Sequence, residues 1–177
     1  MMRSNKGFTL FELLIAIAVL GMVLTFSINS FTEMLNRQKL QGAAENFYDM
    51  LLLARGEAIS RNTSIYVSIT PGANWCYGMD DTASCTCGTA GSCQVNSVDK
   101  VTSGTDYSNI VFSSADLTAL KYVSRRGLPD TTDGTAFANR DFTFTNPDGA
   151  SLTVRISPVG RLRMCTSTNF RGYNACS

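Results

Sequence analysis

From Leu13 to Leu24 the chain is apolar at every position but Gly21, and with its flanks this run extends from Phe8 to Ile28. About 21 residues at ~1.5 Å of helical rise are enough to cross a hydrocarbon core of ~30 Å, so the pattern predicts a membrane-spanning helix over 8–28. Arg3 and Lys6 precede it, which keeps the short N-terminus cytoplasmic and places everything after Ile28 outside. Beyond the span no proline or turn cluster intervenes. Leu40, Ala44, Phe47, Leu51, Ala54 and Ala58 recur at alternating spacings of four and three, a single stripe on a continuing helix over 29–62. That stripe is the seam for a packed domain, and Arg55, Glu57 and Arg61 beside it read as a solvated face. Asn62 is the expected stop.

The period then changes to two. Residues 64–69, 109–112, 120–124, 141–145, 151–156 and 160–165 read as strands, most clearly the last three. Asn146-Pro147-Asp148-Gly149 lies between two of them. Proline presets φ and glycine accepts positive φ there, so a hairpin is expected. Residues 70–104 are rich in Gly, Ser, Thr and Cys with little periodicity and read as one long loop. The predicted class is α+β: a long N-terminal helix packed on an all-β head over 63–177.

Composition narrows the chemistry. The chain has 177 residues and no histidine, which excludes His-based triads, His acid–base catalysis and His-containing zinc sites. Asp80 and Asp81 are adjacent and point to different faces of an extended chain, and Asp130 with Asp133 falls short of a calcium loop. No catalytic residue, metal or cofactor is expected. The six cysteines, Cys76, Cys85, Cys87, Cys93, Cys165 and Cys176, all follow the apolar segment and read as disulfides of an oxidising compartment. The competing reading is zinc on Cys85, Cys87 and Cys93, at a spacing unlike a zinc knuckle or ribbon. Spacing supports only Cys165 with Cys176 as a local pair and leaves the rest open.

One acid, Glu12, stands inside the apolar helix, where an unpaired carboxylate costs several kcal/mol. The nearest cation that chemistry can create is an α-amino group at Phe8, exposed if the chain is cut after Gly7. The segment Lys6-Gly7-Phe8-Thr9-Leu10-Phe11-Glu12-Leu13-Leu14 resembles the class III signal of type IV pilins and type II secretion pseudopilins. The resemblance implies that 1–7 is a leader removed by a prepilin peptidase between Gly7 and Phe8, and that Phe8 is then N-methylated. It also implies that Glu12 pairs with a neighbouring subunit's terminal amine during assembly. Phe11 departs from the family, which more often has an aliphatic residue there.

Residues 53–59 leading into Tyr66-Val67, together with 158–165, resemble the GspH/FimT group of minor pilins. That group implies a periplasmic head on a single-pass inner-membrane helix, incorporated into a type IV pilus near its tip, with other major and minor pilins and the inner-membrane assembly platform as partners. The alternative is a minor pseudopilin of a type II secretion system.

The net charge of +1 predicts no large electrostatic partner, but its distribution is uneven. After Asp148 the only charged side chains are Arg155, Arg161, Arg163 and Arg171. Gly160-Arg161-Leu162-Arg163 resembles the DNA-contacting Gly-Arg-x-Arg element of FimT-type competence pilins. Arginines two apart on a strand share a face, and guanidinium forks suit phosphate oxygens, so Arg161, Arg163 and Arg171 are the candidate contacts to double-stranded DNA. A Cys165–Cys176 loop is expected to hold Arg171 and Tyr173 near the strand carrying the other two. A solvated, pairing-resistant edge strand is the plainer account of the same residues.

Overall fold

The computed structural model describes residue 7 and residues 9–114, 117–132 and 134–176, with the backbone alone for residues 24–30. Phe8, Asp133 and the leader positions 1–6 lie outside the described residues. One helix, α1, runs Leu10–Ser60, and the chain divides into two compact units, Met1–Leu35 and Asn36–Ser177.

In the first unit the large apolar side chains face solvent all round: Leu10, Phe11, Leu14, Ile17, Leu20 and Val23 are all exposed. A helix with no polar face has no water-compatible orientation, so it needs lipid or other helices around it. Among the described residues no helix is long and apolar enough to cross a membrane, and the side chains from 24 to 30, which belong to the expected span, lie outside that set.

In the second unit all six stripe residues of α1, Leu40 to Ala58, are completely buried. They pack on two antiparallel sheets. The first, in the order β5-β2-β1-β7-β8, is built from β1 (Ile65–Thr70), β2 (Cys76–Asp80), β5 (Val101–Ser103), β7 (Ala119–Tyr122) and β8 (Pro129–Thr131). The second, in the order β11-β10-β9-β6, uses β6 (Val111–Ser114), β9 (Arg140–Thr145), β10 (Ser151–Ile156) and β11 (Leu162–Cys165). Two short strands, β3 (Gln94–Val95) and β4 (Val98–Asp99), pair apart from both. Gly72 and Phe112 exchange backbone bonds of 2.8 and 3.1 Å and stitch the two sheets together. Phe47 is the hub, its ring centroid 4.9 Å from Tyr77, 5.3 Å from Phe112, 5.1 Å from Phe142 and 5.8 Å from Phe144.

The 146–149 turn joins β9 to β10, closed by Gly149 N–H to Asn146 O at 3.1 Å. Residues 70–104 correct the expectation of a single loop. They contain β2, paired on both sides and buried along its whole length, as well as β3, β4 and β5. The inward positions of β2 are Tyr77 and Met79, but the outward ones are Cys76, Gly78 and Asp80, covered by a disulfide-stapled lobe. Covering both faces removes the alternation that marks a half-exposed strand. The lobe is tied by Cys76–Cys87 and Cys85–Cys93, and the chain terminus by Cys165–Cys176; no described cysteine is free, which leaves no thiolate for zinc.

Asp80 organises the lobe. One carboxylate oxygen accepts from Thr82 N (2.8 Å), Thr82 Oγ1 (2.6 Å) and Ala83 N (3.3 Å), and the other from Gln94 N (3.0 Å). Burial disfavours its charge, but these donors outweigh burial and hold its pKa below the usual aspartate range. Asp80 therefore stabilises the head above the unfolded-state value of about 3.9 and ceases to do so as pH falls through its lower folded value. Asp80→Asn sets an amide N–H₂ against the Gln94 donor and is expected to cost about 1–3 kcal/mol near neutral pH. Thermal melts at stepped pH check this: the wild type is expected to hold its midpoint down to about pH 5 and lose it below about pH 4, with a shallower acid fall in the variant.

Candidate functional site

The N-terminal site is short and local. Thr9 precedes the first helical residue, and the Glu12 carboxylate accepts from Thr9 N and Thr9 Oγ1 at 3.2 Å each, while Thr9 Oγ1 accepts from Glu12 N at 3.2 Å. This is a capping box, in which the two side chains satisfy N–H groups at the start of the helix. The spacing Thr-x-x-Glu carried that signal in the sequence. Glu12 thus has a partner within its own chain, and both it and Gly7 are exposed.

The head presents a second candidate at the end of β11, an edge strand. Arg163 sits opposite Arg155 of β10, which in turn sits opposite Asp141 of β9. Arg155 grips Asp141 with two bonds, Nε to Oδ1 at 2.7 Å and Nη2 to Oδ2 at 2.8 Å, and those bonds hold the Asp141 carboxyl below the usual range. The nearest cation to Arg163 is therefore already neutralised. Arg161 and Arg163 are exposed, and among the described residues neither is engaged by a carboxylate.

The β10–β11 turn that carries Arg161 is pinned from α1. Arg55 Nη1 donates to Gly160 O at 2.8 Å. Gly160 has φ +74°, and a Cβ there would lie 3.2 Å from Pro129 Cδ and 3.4 Å from the Arg55 guanidinium, so both conformation and space call for glycine. Arg55 is thus half-buried against the head, which corrects its reading as a solvated residue. A helical-face argument assigns it to solvent because its position lies off the stripe, whereas the β10–β11 turn at Gly160 and the β7–β8 turn at Gly127 reach over the stripe's edge and cover it. Arg61 stays at the surface and pairs with Asp81 at 3.1 Å.

The last loop, which carries Arg171, lies against the end of β11: Thr166 pairs with Ala175, Cys165 bonds Cys176, and Arg163 lines one small cavity with Asn174 and Ala175. Cys165–Cys176 closes the last loop, but Phe170 enters the core and Tyr173 Oη donates to Glu45 at 2.8 Å, ten helix positions from Arg55. Ten residues of α1 are about 15 Å. Burial and the adjacent Glu45 push the Tyr173 phenol up to about 12. The loop anchors toward Glu45 because its two aromatic side chains find apolar surface and an acceptor there. Asp130 of the weighed calcium pair sits 3.3 Å from Lys121, and among the described residues no group of three or more carboxylates or thiols is placed to hold a metal ion.

The profile described as "Type II transport protein GspH" matches residues 43–160, two thirds of the chain, and "Prokaryotic N-terminal methylation motif" matches residues 2–28. The chain belongs to the GspH family. No curated protein matches it. Among solved structures, the type IV minor pilin FimU of Pseudomonas aeruginosa (strain PAO1) is similar in two crystal forms. One is 22% identical over 76% of this chain and 91% of that one with a TM-score of 0.52; the other is 21% identical over 71% and 91% with a TM-score of 0.49. The GspH-type head thus has the pilin fold, a long helix followed by antiparallel sheets. Family and methylation motif together imply a structural subunit anchored in the inner membrane and associated with other pilins in a fibre. In this GspH-family chain the features that escaped sequence reasoning are the Thr9 cap, the Asp80 knot and Arg55. The first was written as a local motif; the other two depend on contacts made across the fold.

Proposed function

We propose that this GspH-family chain is a minor pilin of a type IV pilus, cut between Gly7 and Phe8 by a prepilin peptidase, N-methylated at Phe8 and passed through the inner-membrane platform into the fibre near its tip. The observation that carries the reading is the apolar, solvent-exposed start of α1 with one acid, Glu12, four residues after Phe8. Its likeness in fold to a type IV minor pilin supports the pilus over other fibres. On this reading the Thr9–Glu12 cap keeps the carboxylate satisfied in the free subunit, and the terminal amine of a neighbour replaces Thr9 on assembly.

The test is complementation of a deletion strain. Glu12→Ala is expected to leave prepilin level and cleavage unchanged while surface piliation falls at least about tenfold, on the order of the 1.4 kcal/mol or more carried by a desolvated ion pair. Equal piliation with Glu12→Ala would falsify the assembly role of that carboxylate. A type II secretion pseudopilin is the second reading, favoured by the match to the type II transport protein GspH family. A deletion that stops exoprotein secretion and spares pili decides for it.

DNA capture for natural transformation is a further part of the proposed function. It rests on Arg161 of the β10–β11 turn and Arg163 of the edge strand β11, two exposed guanidiniums that no described carboxylate engages. Phosphate contacts of this kind give weak, sequence-independent, salt-sensitive binding that repetition on a fibre strengthens.

A further inference from the structure

At the Asn36 end of the head's helix, Asn36 Nδ2 reaches Asp148 at 3.1 Å, and Gln41 and Tyr173 both donate to Glu45. At the other end two turns abut around Arg55. In the β7–β8 turn, Gly127 has φ +56°, and a Cβ on it would meet Ile59 Cδ1 at 2.6 Å and Arg55 Cγ at 3.0 Å. In the β10–β11 turn, Gly160 lies against Pro129, two residues beyond Gly127, and against the guanidinium of the same Arg55. The first turn carries Arg125 and Arg126, both exposed, and the second carries Arg161, followed by Arg163.

Among the described residues, Asp130 is engaged by Lys121, Asp141 by Arg155, and Glu57 and Asp81 by Arg61. Among the described residues of the two turns, the charged side chains are all arginines. Arg140 opens β9 on the same end, opposite Ile156, and its Nε is buried with no hydrogen-bond partner among the described residues.

We propose that Arg125 and Arg126 of the β7–β8 turn, with Arg161 and Arg163, form one ridge that binds the phosphate backbone of duplex DNA. The proposal rests on the DNA-binding reading above and changes its partners: the arginines that act with Arg161 come from another hairpin, not from the Arg171 loop. The ridge offers guanidinium forks, which match phosphate oxygens bidentately, on turns that project no helix or ribbon into a groove. Its four side chains are held over a common support, since Arg55 fixes one turn by a bond to Gly160 O and the other by packing under Gly127. The half-buried Arg55 adds to the positive potential beneath them.

The test is a titration of a labelled duplex of about 20 base pairs with the full chain in non-ionic detergent, read as anisotropy at about 50 and about 200 mM salt. Three double variants are compared with the wild type: Arg125→Gln/Arg126→Gln, Arg161→Gln/Arg163→Gln, and the charge-matched Lys39→Gln/Arg171→Gln from outside both turns. The ridge predicts that each of the first two weakens binding roughly tenfold at the lower salt and reduces the slope of log K against log salt by about 2, with the third within about twofold of wild type. Thermal melts of each variant show whether the fold is kept, and Arg125→Lys/Arg126→Lys is expected to restore most of the affinity if the fold is sound. Loss on Arg161→Gln/Arg163→Gln alone overturns the ridge and leaves the DNA reading standing. Equal loss in all three overturns it in favour of unlocalised charge. A wild type that does not bind at low salt removes the DNA reading itself.

Discussion

Phe47→Ala is expected to destabilise the head by about 3–5 kcal/mol, the range for deleting a fully buried aromatic side chain. Phe47 is completely buried and its ring contacts Tyr77 from one sheet and Phe112, Phe142 and Phe144 from the other. The cavity would open where helix and both sheets meet. It cannot collapse by a local shift, because each neighbour is held in its own ladder. Edge-to-face contacts such as that with Tyr77 add about 0.5–1.5 kcal/mol beyond the area lost. Thermal denaturation followed by circular dichroism is expected to show the midpoint lowered by roughly 10 °C or more. Phe47→Leu, which refills most of the space, should recover over half of that. A midpoint within about 2 °C of wild type for the alanine variant would show that α1 is not the keystone of the core.

Removing both bridges of the 76–93 lobe is the second large effect. Cys76–Cys87 and Cys85–Cys93 interleave, so together they close the lobe as one knot beside β2. A loop of this length contributes about 3 kcal/mol through the entropy of the unfolded chain, and the two overlap, so the expected combined loss is about 4 kcal/mol rather than twice the single value. The lobe has little else to hold it: of its residues between Asp81 and Gln94, only Cys87 and Cys93 are buried. Substituting all four cysteines by serine is therefore expected to make the segment 81–93 the first site of proteolytic cleavage. The β9–β10–β11 sheet and α1 should stay protected. Limited proteolysis with mass mapping checks both halves of that expectation. First cleavage in the Cys165–Cys176 loop, or an unchanged digestion pattern, would contradict it.

Much of the architecture is local, and so legible in advance. The α1 stripe, the proline–glycine turn at 146–149 and the alternation of β9, β10 and β11 are each written within a few residues; β10 keeps its alternation although both its faces are covered, because its second face buries Ser151 and Thr153 rather than apolar side chains. β8 was invisible: it has three residues, begins at Pro129 and lies at a sheet edge, where a missing N–H costs nothing. β2 was read as loop for the opposite reason, as a strand covered on both faces. The candidate sites divide in the same way. Gly7, Phe8 and Glu12 form a contiguous motif, and even the Thr9 cap of Glu12 lies three residues away.

The sequence by itself therefore determined the helix, its processing motif, the α+β class and a set of arginines with no acids among the last of them. Which arginines share a surface was decided by tertiary structure alone. Arg161 follows Gly160, whose carbonyl is held by Arg55, whereas the loop of Arg171 is tied through Tyr173 to Glu45, ten positions earlier on the helix. Arg125 and Arg126, far from both in sequence, are brought to Arg161 by two turns packing on one side chain. Charge acts over distances of about 10 Å in solution, so its partners are set by where the chain returns in space. The disulfide pairing follows the same logic. Many pairings of six cysteines are open to an unfolded chain, and the sheets bring the bridged sulfurs within bonding reach.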